Sequence, residues 1–323
     1  MILTPIAAII VGATWLGVNL GRGPGTGTPG VAPEMLTGQT LDAVVTAAEK
    51  YMREGSHGRA LTILAAATEK HPNEQRLLAL HARCLLEMGR QAEALAEFER
   101  ACFVGPDNAS FRDFAATLAS QAGENERADA HWAVAQKLDP ENPKYPLYRA
   151  QVQRRLGKSD AARANLVLAI SIDPSLAEAW ASLAAIALEE NRPGMARQYI
   201  DRARRLDPAN AYFRVIEARA LRRAGDAEAA ADLLYAIPEP SRLRDKTVLA
   251  ELALCLGMME LPGRAADLYL AASDAAPEDA EFAYEAALWL DRAGRPEEAR
   301  VLATRAVSLG SDAAATLLSQ PEG

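Results

Sequence analysis

Alanine recurs at an interval of 34 residues through most of this chain of 323 residues. The first alanine ladder consists of Ala60, Ala94, Ala128, Ala162, Ala196 and Ala230, then, after one added residue, Ala265 and Ala299. The second consists of Ala48, Ala82, Ala116, Ala150, Ala184, Ala218, Ala253 and Ala287. Self-similarity at such a period indicates an array of repeated units, each of which buries its apolar face against its neighbours. The function of such a chain has to be sought on an extended surface.

Other residues in phase with the ladders predict two helices per unit. Glycine stands between the two alanines in six units, with Asn191 and Glu260 in the other two, and a proline closes six units. These glycines are Gly55, Gly89, Gly123, Gly157, Gly225 and Gly294, and the prolines are Pro72, Pro106, Pro140, Pro174, Pro208 and Pro277. Apolar residues between these marks recur at intervals of three and four, which is a helical period. Glycine ends a helix because it adopts the left-handed conformation without a Cβ clash, and proline cannot continue the hydrogen-bond ladder. Alanines allow the two helices to approach to about 8–10 Å.

These residues match a known pattern: Trp-x2-Leu-Gly-x2-Tyr, then Ala-x3-Phe, then Pro, over 34 residues. The best-fitting unit has Trp180, Leu183, Ala184, Ala196, Ile200, Ala203 and Pro208 at the motif positions, and other units add Tyr51 and Phe98. The chain therefore resembles the tetratricopeptide repeat proteins. Eight units, numbered 1–8 below, start at Leu41, Gln75, Ala109, Pro143, Ala177, Ala211, Lys246 and Ala280 and cover residues 41–313. The resemblance implies an all-α, right-handed superhelical solenoid of helix-turn-helix units.

Two places depart from the repeat. Unit 6 ends in Ile237-Pro238-Glu239-Pro240, with Arg242 where the closing proline should stand. Two prolines so close together predict a shortened second helix and a change of curvature near residues 237–245. After unit 8, residues 314–323 form a C-terminal cap or tail. The apolar segment from Asp312 to Ser319 predicts a short capping helix, with a frayed end as the alternative.

The N-terminal segment predicts a membrane anchor. Residues 2–20 carry no charge and are rich in Ile, Ala, Val, Leu and Gly, so residues 1–20 are long enough for one transmembrane helix that contacts the lipid bilayer. The alternative is a cleaved signal peptide, although no Lys or Arg follows Met1 and no Ala-x-Ala site precedes Arg22. Residues 21–40 are rich in Gly, Pro and Thr and predict a flexible linker. In this layout the chain also resembles the membrane-anchored repeat proteins that regulate lipopolysaccharide synthesis in bacteria, but it lacks their C-terminal cysteine-pair metal module.

Few residues indicate on which side of the membrane the solenoid lies. Arg22 is the only basic residue near the span, and positive residues tend to remain cytoplasmic. Three cysteines without an evident pairing also favour the cytoplasm over an oxidising compartment. A single-pass protein with a cytoplasmic solenoid is therefore favoured, with a periplasmic solenoid as the alternative.

The sequence contains no catalytic signature. It has no nucleotide-binding loop, no His-Glu-x-x-His and no Cys-x-x-Cys, and its four histidines are not spaced as metal ligands. We therefore expect no enzyme, no metal, no cofactor and no small-molecule substrate. A net charge of −8 also argues against a nucleic acid partner.

The resemblance implies where a partner protein would bind. In tetratricopeptide solenoids the first helix of each unit lines the concave face, and contacts come from its second, fifth, sixth, ninth, twelfth and thirteenth positions. At these positions this chain has the candidate groove residues Arg76, Arg83, Lys144, Tyr148, Gln151, Arg154, Arg155, Tyr212, Arg219, Arg222 and Arg223. A basic stretch with tyrosines in an acidic chain suits an extended acidic peptide, because arginine forks pair with carboxylates. An ordinary solvated face is the alternative.

Two functions follow. The first is a non-enzymatic, membrane-anchored scaffold that gathers proteins, in the assembly or regulation of a membrane or envelope complex. The second is a secreted or periplasmic chaperone or carrier whose N-terminal segment is removed. For either, charge reversal at Arg154, Arg155, Arg219 and Arg223 together is expected to abolish partner capture without unfolding the chain.

Overall fold

The computed structural model describes residues 40–105 and 107–318, and the regular structure in these ranges is α-helical throughout. The helices are α1 (Leu41–Arg53), α2 (His57–Lys70), α3 (Gln75–Glu87), α4 (Gln91–Val104), α5 (Ala109–Gln121), α6 (Asn125–Leu138), α7 (Lys144–Arg155), α8 (Ser159–Ile172), α9 (Ala177–Glu189), α10 (Pro193–Leu206), α11 (Ala211–Arg223), α12 (Ala227–Tyr235), α13 (Glu239–Arg242), α14 (Lys246–Met258), α15 (Pro262–Ala275), α16 (Ala280–Arg292), α17 (Pro296–Ser308) and α18 (Asp312–Leu318). The first helices of units 1–8 are α1, α3, α5, α7, α9, α11, α14 and α16.

The predicted anchor and nearly all of the predicted linker lie outside the described residues. Among the helices that are described, none has the length and apolar character that crossing a bilayer requires.

Side-chain caps fix where many first helices begin. The side chains of Thr40, Asn108, Asn210, Asp245 and Asp279 each accept a hydrogen bond from a backbone N–H in the first turn of the helix that follows. Such caps satisfy N–H groups that have no partner within the helix. They recur at the same place in units 1, 3, 6, 7 and 8, so the sequence repeat becomes a structural repeat.

Both alanine ladders lie in the core between helices. Every member is at most 6 % exposed, and most are fully buried. Each helix packs mainly against its neighbours in sequence, and the first helices of several adjacent units also touch, as α7 and α9 do. The apolar core accordingly runs along the array as a series of clusters, each built from one or a few neighbouring units. The predicted all-α solenoid is confirmed.

Unit 6 contains the interruption that its prolines predict. Helix α12 has 9 residues, whereas the other second helices have 13 or 14, and the four-residue α13 follows it. The Nη1 of Arg242 donates to the carbonyls of Tyr235 and Ile237, both at 2.9 Å. The guanidinium also lies 5.1 Å from the centre of the Tyr235 ring. The residue that replaces the closing proline thus bonds two carbonyls at the end of the shortened helix.

Helix α18 packs on the end of unit 8. Its Ala314 is fully buried in a small cluster with Ala283 and Ala306, which belong to α16 and α17. The predicted capping segment is helical from Asp312 to Leu318, and residues 319–323 lie outside the described residues. The described part of this segment thus covers an end of the stack.

Candidate partner-binding surface

The candidate groove residues lie on the first helices of units 2, 4 and 6, which are α3, α7 and α11. Helix α9 touches both α7 and α11, so the first helices of units 4–6 form one continuous wall. The arginines on this wall make contacts with neighbouring units.

In unit 4, two adjacent arginines point to opposite neighbours. The Nη1 of Arg154 lies 3.5 Å from a carboxylate oxygen of Glu189, which is on α9. Arg155 donates from Nε to Asn125 at 2.8 Å and from Nη2 to the hydroxyl of Ser120 at 2.5 Å, both in unit 3. One arginine therefore links unit 4 to the unit after it, and the other links it to the unit before it.

In unit 6, two arginines share one buried carboxylate. Glu251 on α14 is only 3 % exposed. It accepts a hydrogen bond from the Nε of Arg219 at 3.0 Å and another from the Nε of Arg222. The next residue, Arg223, donates to the backbone carbonyl of Leu188 on α9. Because a carboxylate at Arg219 would face Glu251, charge reversal at this position would act on the fold as well as on binding.

These contacts leave the wall positively charged. Glu189 offsets the positive charge of Arg154. The single negative charge of Glu251 offsets only one of the two positive charges of Arg219 and Arg222. The groups that accept hydrogen bonds from Arg155 and Arg223 are neutral, so these contacts leave both positive charges in place. Burial, and then the charge of Arg154, lower the pKa of the Arg155 guanidinium, as expected for a cation among cations.

The remaining basic candidates are more exposed. The side chains of Arg83 and Lys144 are exposed and have no hydrogen-bond or ion-pair partner among the described residues. Arg76 lies 3.8 Å from Asp42, but both side chains are more than half exposed, so this pair contributes little. Lys144 lies on the same helix as Arg154 and Arg155 and extends the positive wall toward the start of α7.

The ring of Tyr148 lies beside that of Trp132, which bonds the half-buried Asp113. The two ring centres lie 5.2 Å apart, and the Trp132 indole N–H donates to Asp113 at 2.7 Å. Burial raises the pKa of the Asp113 carboxyl, while the indole hydrogen bond and Lys144 oppose that rise. Burial, then the charges of Asp113 and Glu178, raise the pKa of the Tyr148 hydroxyl. The hydroxyl therefore stays protonated at neutral pH.

The last two candidates are polar groups available to a ligand. Gln151 is half-buried, and Tyr212 is 36 % exposed with its ring centre 6.4 Å from that of Phe213. Neither side chain makes a hydrogen bond within the described residues. Both can therefore bond to an incoming peptide without giving up an existing partner.

The comparisons with known proteins agree with this fold. Residues 182–242 match the family model described as tetratricopeptide repeat. A solved tetratricopeptide repeat protein from Parabacteroides merdae ATCC 43184 is 16% identical and has a TM-score of 0.62, with 76% of this chain and 97% of that chain covered. Residues 182–242 thus match the tetratricopeptide repeat family, and the described chain has the fold of such repeat proteins. Residues 13–104 also match the model described as bacterial transcriptional activator domain, and neither family match reaches half of the chain.

Two further structures resemble this repeat protein in fold. Yeast Tom70 is 19% identical with a TM-score of 0.57, covering 82% of this chain and 57% of its own. The Cut9–Hcn1 hetero-tetramer of APC/C is 14% identical with a TM-score of 0.55, covering 86% of this chain and 55% of its own. A comparison with curated protein sequences finds no match. At these identities the likeness shows the fold alone.

The structure also draws attention to groove positions of the repeat protein that the sequence analysis did not select. Asp113 and Phe114 occupy the fifth and sixth positions of unit 3, and Leu254 and Met258 occupy the ninth and thirteenth positions of unit 7. Phe114, Leu254 and Met258 are 41%, 44% and 52% exposed, which is high for large apolar side chains. All four stand at the register positions that also gave the arginines, but their side chains are acidic or apolar and so lie outside the basic, tyrosine-bearing pattern.

Within the described residues, no three His, Cys, Asp or Glu side chains are grouped as metal ligands would be. The three cysteines are buried and unpaired.

Proposed function

We propose that this protein is a non-enzymatic scaffold that binds an extended acidic segment of a partner protein along the first helices of units 4–6. The observation that carries the proposal is the positive charge that remains at Lys144, Arg155 and Arg223. It lies on one wall of a chain whose net charge is −8.

The arginine contacts support binding of carboxylates rather than a merely solvated face. Neutral groups of neighbouring units hold Arg155 and Arg223 in position, so less side-chain entropy remains to be lost when a ligand arrives. Arginines held in this way present N–H donors in a rigid fork that suits carboxylates. An extended chain also suits a wall formed by successive parallel elements, because it can contact several units at once.

A protein partner also agrees with one of the structural neighbours. A chain of the Cut9–Hcn1 hetero-tetramer has this fold, and it was solved in complex with another protein. No feature of the wall suits nucleic acid better, since the chain as a whole is acidic.

The membrane location is part of the proposal and rests on the uncharged residues 2–20. A retained anchor would place the wall at a bilayer, where the protein would serve in the assembly or regulation of a membrane or envelope complex. Carbonate extraction of the expressed full-length chain tests this: an anchored chain stays in the membrane pellet. Release into the supernatant, with a mature N-terminus beyond Leu20, would instead indicate a cleaved carrier or chaperone.

The binding wall is tested by affinity capture from native membranes with matched charge variants. The wall variant carries Lys144→Glu, Arg155→Glu and Arg223→Glu, whose described hydrogen bonds and ion pairs include no carboxylate. The control variant carries Lys70→Glu, Lys137→Glu and Arg202→Glu, exposed cations on the second helices α2, α6 and α10. Both variants lose the same charge. We expect only the wall variant to lose the partners that the unmodified chain captures, and equal recovery by both would contradict the assignment.

A further inference from the structure

A cavity opens between the first helices of units 7 and 8, beyond the positive wall. It has a volume of about 570 Å³ and lies between α14 and α16. Leu254 and Met258 of α14 and Trp289 of α16 form much of its lining. The cavity is open to solvent, and this volume is ample for one large side chain.

The lining is apolar except for the side chains of Glu260 and Arg292, and its aliphatic part is exposed to solvent. Leu254 is 44% and Met258 52% exposed, whereas Trp289 is 6% exposed and forms the floor. No other part of the described chain covers the two aliphatic side chains. Burying them against a partner would remove apolar surface from water, which is the main favourable term in protein association.

Gly257 allows the floor to lie where it does. A Cβ at this position would stand 2.9 Å from the ring of Trp289, closer than packed atoms allow. Glycine within a helix is less stable than alanine, so the close contact with Trp289 gives its presence here a reason. A side chain at this position would also narrow the cavity.

A cation stands on the rim. The guanidinium of Arg292 lies 4.6 Å from the centre of the Trp289 ring, and no carboxylate of the described residues pairs with it. Arg292 occupies the thirteenth position of unit 8, the register position that Arg155 and Arg223 occupy in units 4 and 6. Met258 holds that position in unit 7. The same edge of the first helices therefore carries arginine, then an exposed apolar residue, then arginine again.

We propose that this cavity holds one large aliphatic side chain, such as Leu or Met, from the same acidic segment that binds units 4–6, with a neighbouring carboxylate of that segment on Arg292. The inference rests on the proposed function and adds an apolar anchor to it. Arg292 in the lining favours a carboxylate next to the aliphatic side chain, on the α16 side of the cavity, whereas Glu260 lies in the turn after α14. The apolar part of the lining favours an aliphatic residue over a polar one in the cavity itself.

Two fluorescein-labelled peptides test the proposal on the full-length chain in mild detergent. Both consist of alternating Glu and Ser, and one has Leu at its centre where the other has Ser. Because burial of a leucine side chain contributes about 1.5–3 kcal/mol, the Leu peptide should bind about 10-fold to 100-fold more tightly. Fluorescence anisotropy gives both dissociation constants.

A variant pair locates the effect. Leu254→Ser with Met258→Gln should abolish the preference for the Leu peptide. Met88→Gln, which changes a methionine that is 41% exposed at the end of α3, should leave the preference unchanged. Selective methyl labelling gives a second readout that does not depend on a variant: the Met258 signal should shift with the Leu peptide and the Met88 signal should not.

The outcomes separate this inference from the proposed function. Equal binding of the two peptides, or a preference that survives in the cavity variant, would overturn the apolar anchor and leave the acidic-segment proposal standing. Failure of both peptides to bind would overturn both.

Discussion

Glu260 adopts a left-handed backbone conformation that is unfavourable for a residue with a Cβ atom. It ends α14 with a φ of 60°, at a place where six other units have glycine with φ between 72° and 95°. Asn191 takes the same conformation in unit 5 with a φ of 55°. A side chain other than glycine or asparagine is strained in this left-handed region because its Cβ approaches the following carbonyl. The turn of unit 7 is thus less favourable in free energy than the corresponding turns of the other units.

We predict that Glu260→Gly raises the free energy of unfolding by about 1 kcal/mol, since the left-handed conformation costs most residues about 1–2 kcal/mol and glycine almost nothing. Urea denaturation measures the change. Asn191→Gly is the matched control and should give a smaller gain, because asparagine tolerates this conformation. A loss of stability in Glu260→Gly would show that the carboxylate itself stabilises the turn.

The thiols of the three cysteines are predicted to be unreactive in the folded protein. Burial raises the pKa of the thiols of Cys84, Cys102 and Cys255 to about 11 in each case. Because the thiolate is the reactive form, all three should resist a disulfide-exchange reagent at neutral pH while the chain is folded. All three should react once it is unfolded in urea. A thiol in the folded protein that reacted as fast as free cysteine would contradict its placement in the core.

At the scale of the helix, alanine sets the spacing between neighbours. Ala162 of α8 is fully buried in the first ladder, whereas Ala164 of the same helix is exposed. Ala162→Leu should lower the free energy of unfolding by about 1–3 kcal/mol, because extra methylenes cannot be accommodated between closely packed helices. Ala164→Leu, which adds the same volume toward solvent, should change it little. Equal effects in thermal unfolding would contradict the assigned packing.

Ion pairs between helices are also expected to contribute more to stability when they are buried than when they are exposed. Glu251→Ala would leave Arg219 and Arg222 without their shared carboxylate, and we expect a loss of about 2–4 kcal/mol, near the values for broken buried ion pairs. Glu281, which pairs with Lys246 at 2.6 Å, is 56% exposed. Glu281→Ala should therefore cost less than about 1 kcal/mol. Urea unfolding of the two variants compares them, and a similar loss in both would contradict the buried role of Glu251.

At the scale of the whole molecule, the features that repeat were predictable from the sequence. The ladders through Ala60 and Ala48 set the helix pairs, and the prolines near Pro238 located the shortened α12. Such features are local, because each unit contacts mainly its neighbours.

What the sequence did not reveal depends on residues that vary between units. That Glu251 would be buried beneath Arg219 could not be read from their separation, because the contact joins different units through side-chain conformation. The cavity beside Trp289 likewise requires Gly257, Leu254 and an adjacent helix to be placed together. The sequence therefore predicted the helices on which the candidate residues lie, but not which side chains of neighbouring units would contact them.

The central claim is that the first helices of the middle units bind a polypeptide segment. Site-specific photo-crosslinking in native membranes tests it most directly, with p-benzoylphenylalanine introduced in place of Gln151 on α7 or in place of Val167 on α8. Gln151 is half-buried on the proposed wall, and Val167 of the same unit is 56% exposed on the second helix. We expect a discrete crosslinked polypeptide from position 151, suppressed by an added Glu-Ser peptide with a central Leu, and none from position 167. The same adducts from both positions, or adducts from position 167 alone, would contradict it.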